Sequence, residues 1–148
     1  MPETVGIPEM MDFSAVFPVC EAFPMRPPYD LPPLPVSTVQ GCSVVTLPAD
    51  IDMLVRDHIT ATLHQVLQEG PAAMVIDMTA TSFCDSAGIS VFMSAYRRAR
   101  EADVGLHLAI ANPRVRRVFH LAGIDLVTAI HATLDEAVHA ARTASGRP

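Results

Sequence analysis

Apolar positions along this chain follow two alternating periods from about residue 36 onward. Short β-branched runs give way to segments with apolar residues three and four apart, the pattern of strands alternating with amphipathic helices. Val36–Val39 and residues 43–47 read as strands separated by Gly41 and placed to pair through a tight turn. After Asp52, Val55, Ile59, Leu63, Val66 and Leu67 share one helical face, and Gly70-Pro71 stops that helix. Ala73–Met78 is a compact apolar run, expected to be a central strand buried on both faces. A second helix carries Ile89, Phe92, Met93, Tyr96 and Ala99 inward, with Arg97, Arg98 and Arg100 near its negative pole. Residues 106–111 form the next strand, and Asn112-Pro113 supplies a cap and a first-turn proline for a helix facing inward through Val115, Val118, Phe119 and Ala122. Residues 126–130 read as a last strand, and Thr133 with Glu136 forms the capping box of a final helix. The order β-β-α-β-α-β-α-β-α predicts an α/β fold: a mixed sheet of four or five strands packed with about four helices.

Residues 1–35 break this pattern. They hold nine of the thirteen prolines, five acids and one Arg, so the segment is expected to be an extended, flexible tail, with the folded domain spanning 36–148. Its Phe13, Phe17, Phe23 and Tyr29 are candidates for a short docking motif, and Met25 for an alternative start. A net charge of −6 argues against a nucleic-acid or anionic-membrane surface and favours a basic protein partner. All ten basic residues are Arg, which removes any chemistry that needs a lysine amine. Cys20, Cys42 and Cys84 stand far apart with no metal-ligand spacing, as expected of reduced thiols in cytosol. No apolar run approaches the roughly 18 residues of a membrane span, and no export signal opens the chain, so a cytoplasmic location without membrane insertion is expected. Neither a phosphate-cradling loop nor a metal cluster is present, and no cofactor is expected.

The chemistry concentrates in Ser82-Phe83-Cys84-Asp85-Ser86-Ala87-Gly88-Ile89, between the central strand and the second helix, at the end of the sheet where α/β sites gather. Ser86 is expected to cap that helix, its hydroxyl accepting from an amide two or three residues on. Phosphorylation there would add roughly −1.5 to −2 charges beside the positive helix pole, tolerable to the fold but readable by a docked partner next to Asp85, Asp50 and Asp52.

These segments resemble STAS domains of the anti-sigma factor antagonist type over about residues 44–141. The resemblance rests on Leu47-Pro48-Ala49-Asp50-Ile51-Asp52 before the first helix, on Val75-Ile76-Asp77-Met78, and on Phe83-Cys84-Asp85-Ser86-Ala87-Gly88-Ile89, which matches hydrophobic-x-Asp-Ser-Ser/Thr-Gly-Leu. Residues 112–119 and Ala122-Gly123-Ile124 continue it. The resemblance implies a binding protein rather than an enzyme. Its unphosphorylated form would bind an anti-sigma factor with serine kinase activity and free a sigma factor, and phosphorylation of Ser86 would release the partner until a phosphatase resets it. Asp50, Asp52, Asp85, Ser86, Ala87, Gly88 and Ile89 would form the partner-binding surface. The sequence departs from the family pattern at Ala87, Ser90 and Ala49-Asp50, and a need for positive φ at Ala49 would strain the turn. The alternative within the family is a scaffold or accessory subunit of a signalling assembly or a lipid- or anion-transport system.

Other chemistries fit less well. A phosphoacceptor role for Asp77 lacks the lysine and acidic pair of a receiver domain, so Asp77 is expected to bond a nearby backbone amide. Cys84-Asp85-Ser86-Ala87-Gly88 lacks the leading glycine of a nucleophile elbow. Cys84 has no basic neighbour in sequence to activate it and reads as a small buried hydrophobe, and His58 and His64 are misplaced for a metal pair.

Overall fold

A computed structural model of the protein describes residues 31–145. The expected tail and its aromatic docking motif fall largely outside the described residues, of which 31–35 form irregular chain. Strand β1 (Val36–Val39) turns back through Gln40 and Gly41, both at positive φ, into β2 (Cys42–Thr46). Two left-handed residues in succession give the twist that an antiparallel two-residue turn needs. The main sheet has the order β1-β2-β4-β6-β7, in which β4 (Ala73–Met78), β6 (Gly105–Ile110) and β7 (Ile130–His131) run parallel to β2. The expected mixed sheet with β4 at its centre is thus found, and all six β4 residues are buried.

Alternation along β4 feeds two cores. Met74, Ile76 and Met78 join Val45, Leu47, Leu108 and Ile110 beneath helices α1 (Met53–Gln68), α2 (Ser86–Ala102) and α3 (Pro113–Leu121). Ala73 and Val75 face the other way, against Ala137, Val138 and Ala141 of α4 (Leu134–Ser145). The alanines let α4 lie close to the sheet, and the result is a helix–sheet–helix sandwich. Burial at roughly 25 cal/mol per Å² of apolar surface supplies the main drive for this arrangement.

Helix boundaries follow their caps. Asn112 accepts from the amides of Arg114 and Val115 at 2.8 and 3.4 Å, and Pro113 opens α3 as expected. Glu136 N–H donates to Thr133 Oγ1 at 3.1 Å, while the Glu136 carboxylate takes the amide of Ala132 rather than that of Thr133.

Three expectations need correction. Residues 126–130 do not form one strand. Gly123, at φ 80, ends α3 and launches a 3₁₀ turn over Ile124–Leu126, and only Ile130–His131 pair with β6. Ala122 is exposed, because it is the C-cap of α3 rather than part of its inner face. The inner face of α2 is carried by Ala87, Gly88, Val91, Phe92, Ala95 and Ala99, so Met93 lies at the surface. Small residues there let α2 pack closely, a signal that a search for large apolar side chains passes over.

Candidate functional site

Two short strands absent from the sequence reading build the site. β3 (Asp50–Ile51) and β5 (Phe83–Cys84) pair in parallel as a separate two-stranded sheet, with Asp50 opposite Phe83 and Ile51 opposite Cys84. Ser82 and Phe83 donate to the carbonyl of Ala49 at 2.8 and 3.1 Å, and Asp85 donates to that of Ile51 at 3.3 Å. Ala49 does this without positive φ, so the strain considered for this turn does not arise.

Each short strand leads directly into a helix capped by an aspartate. The Asp52 carboxylate accepts from Leu54 N–H at 2.9 Å at the start of α1, and the Asp85 carboxylate accepts from Ala87 N–H at 2.8 Å at the start of α2. The register between β3 and β5 places these caps side by side, so two positive helix poles and two carboxylates share one end of the molecule.

Ser86 is therefore not the helix cap, contrary to expectation. Asp85 has the extended backbone of an N-cap, and its charged oxygen makes the stronger bond to the helix amide. Ser86 becomes the first helical residue, exposed, and among the described residues its hydroxyl has no hydrogen-bond partner. A hydroxyl that caps nothing can be modified without cost to the helix.

Around it, the expected residues divide between surface and support. Asp50 is exposed, Asp52, Asp85 and Ile89 are half-buried, and Ala87 and Gly88 are buried. Gly88 serves the packing: a Cβ on it would overlap the Cys84 sulfur, and would lie 3.5 Å from Ile51. The glycine thus lets the first turn of α2 sit on the β3–β5 pair. Sequence reasoning missed the apolar part of the surface. Phe83 is 50% exposed, and Met53 and Leu54, in the first turn of α1, are 62% and 66% exposed. Exposed apolar side chains gathered beside carboxylates make this end a candidate interaction surface. Two large residues directly after the Asp52 cap were the available signal.

Other reactive groups are accounted for. Burial pushes the Cys84 thiol up to about 11, the Asp85 carboxylate adds to this, and the Gly88 backbone opposes it, so the sulfur stays protonated and poorly nucleophilic. Asp77 accepts from Thr79 N–H at 3.0 Å and from its hydroxyl at 2.7 Å, the strand-end role expected of it. His64 bonds Ser94 at 2.8 Å between α1 and α2, and burial, followed by Arg98, lowers its pKa. Among the described residues no group of three metal-binding side chains converges, and no helix is long and apolar enough to cross a membrane.

The family model described as "STAS domain" matches residues 34–137. An anti-sigma-F factor antagonist of Mycobacterium tuberculosis, RsfB, is 24% identical over 107 residues, which are 72% of this chain and 87% of that one. The crystal structure of an anti-sigma factor antagonist from Mycobacterium paratuberculosis is 31% identical, covers 74% of this chain and 92% of its own, and superposes with a TM-score of 0.68. The Bacillus cell fate determinant SpoIIAA in its phosphorylated form shares the fold at 20% identity and a TM-score of 0.57, over 72% of this chain and 96% of its own.

Proposed function

Since the chain belongs to the STAS domain family, we propose that it is an anti-sigma factor antagonist switched by phosphorylation of Ser86. Unphosphorylated, it binds an anti-sigma factor that is also a serine kinase, and so frees a sigma factor. Phosphorylated, it lets that partner go until a phosphatase restores the hydroxyl. The observation that carries this reading is the exposed, unbonded Ser86 hydroxyl at the first position of α2, flanked by an aspartate that does the capping. The likeness to antagonists named for that role in two mycobacteria supports it.

Phe83, Met53 and Leu54 offer apolar area to a partner, while Asp50, Asp52 and Asp85 set a negative rim that favours a basic one. A phosphate on Ser86 adds roughly −1.5 to −2 charges and must be desolvated in any complex that covers it. A loss of about 3 kcal/mol in complementarity corresponds to about a hundredfold in affinity. Inside the free protein the same group sits at a positive helix pole, so folding is spared.

The test is intact-mass measurement after incubation with the cognate kinase and ATP. One phosphate is expected on the wild type and none on Ser86→Ala; labelling that survives the substitution places the switch elsewhere.

A further inference from the structure

Strand β7 ends the main sheet with an unpaired edge. In the order β1-β2-β4-β6-β7 it pairs with β6 on one side and, among the described residues, with no strand on the other. Residues 127–133 around it hold neither proline nor any Arg, Asp or Glu, the residue types that ordinarily blunt an exposed edge. The opposite edge differs, since β1 is preceded by Pro33 and Pro35, which have no amide to donate. Along β7 and its flanks Ala129 and Ala132 are exposed, and Ile130 and His131 are half-buried.

A positively charged cleft adjoins that strand. Arg116, Arg117 and His120 of α3 line a space of about 370 Å³ together with Asp125 and with Ile130 of β7. Ile130 packs against the core cluster that holds Val115 and Phe119, so its side chain lies on the face of the sheet that α3 covers. Arg116 is half-buried and donates to the Ile110 carbonyl at 3.4 Å, which holds it at the finishing end of β6, while Arg117 is exposed. Asp125 is the one carboxylate in the lining, and His120 engages it at 2.7 Å. Among the described residues neither arginine pairs with a carboxylate, so the cleft keeps a net positive charge within a chain of net charge −6.

We infer that β7 accepts an extended, acidic segment of a partner protein as a further strand of the sheet, with the segment's carboxylates meeting Arg116 and Arg117. Extended peptides add to sheet edges through main-chain pairing, which gives affinity, and through alternate side chains, which give specificity. Every second residue of the added strand points to the face that α3 covers. Acids at those positions meet guanidiniums whose planar fork matches a carboxylate, and a basic segment is repelled. Two strand residues make a short template, so the contact needs the charge as well as the edge, and it weakens as salt screens it. Ser86, at the start of α2, has no part in this surface.

Fluorescence anisotropy of a short labelled peptide alternating glutamate with valine, titrated with the full chain at low ionic strength, tests this with no anti-sigma factor or kinase present. The peptide is expected to bind, its lysine–valine counterpart to stay free, and Arg117→Glu, at an exposed position, to weaken binding by about tenfold or more. N-methylation of every second peptide amide separates strand addition from plain charge attraction, because only alternate amides of an added strand face the edge. One of the two alternating methylation patterns is expected to abolish binding and the other to spare it. Failure of the glutamate peptide to bind would overturn the inference. So would equal affinity for both peptides, indifference to Arg117→Glu, or binding that survives both methylation patterns, which marks a bare anion site. Peptide binding lost as the protein self-associates assigns the edge to a second copy and overturns it too.

Discussion

Gly88→Ala tests how the site is supported. The substitution relieves the helix of a glycine, worth about 1 kcal/mol in propensity, so a purely local view expects stabilisation. Packing predicts the opposite. The new Cβ would overlap the Cys84 sulfur, and Cys84 is itself held by strand pairing of β5 with β3 and is 7% exposed. The neighbouring void beside Ile51, Val91 and Phe92 is about 10 Å³, too small to receive the displaced sulfur. Either α2 lifts at its first turn or β5 shifts, and overpacking of this kind costs about 1 to 3 kcal/mol. The net expectation is a loss of about 1 kcal/mol or somewhat more, read by urea denaturation with an unchanged m-value. Cys84→Ala alone leaves a small cavity and costs about 1 kcal/mol. Combined, the two changes exchange a sulfur for a methyl group within one space, so the double variant should be more stable than the sum of the singles by about 1 to 2 kcal/mol. Strict additivity, or a Gly88→Ala protein as stable as the wild type, would refute the close approach of α2 to the β3–β5 pair.

Two further expectations concern the cap and a half-buried histidine. Asp85→Ala should destabilise by about 1 kcal/mol through loss of the bond to Ala87 N–H, whereas Asp85→Asn should retain most of it; equal losses would show that the cap contributes little. His107, whose Nδ1 is shielded from solvent with no hydrogen-bond partner among the described residues, has its pKa lowered by burial and then by His131, 6.0 Å away between ring centroids. The unfolded chain binds this proton near its ordinary 6.5 while the folded chain resists it, so stability should fall as pH drops below 6.5. His107→Gln should flatten the stability–pH curve in that window, and an unchanged slope would remove His107 as its cause.

Periodicity made the larger elements legible. Val55 to Leu67 and the Asn112-Pro113 cap carry signals that tertiary packing reinforces rather than overrides, and the unbroken apolar run of β4 reports burial on both faces. The two-residue strands β3 and β5 were not readable, since a pair that short has no period of its own and exists because the loops after β2 and β4 lie side by side. That omission hid the reason for Gly88 and the apolar half of the surface. The cap was misassigned for a local reason: Asp85 and Ser86 are both good capping residues, and adjacent candidates are separated only by which backbone is extended. The strand expected over 126–130 failed because Gly123 and the Thr128 bond to Leu106 hold most of that segment as a turn.

The account turns on whether charge at Ser86 is felt by a partner while the fold stays indifferent to it. Calorimetric titration of the anti-sigma factor with unphosphorylated and Ser86-phosphorylated protein, alongside thermal melts of both forms, measures this directly. The account predicts about a hundredfold weaker binding by the phosphorylated form at a nearly unchanged Tm. Equal affinity of the two forms, or a phosphorylated protein that loses binding because it has unfolded, would contradict it.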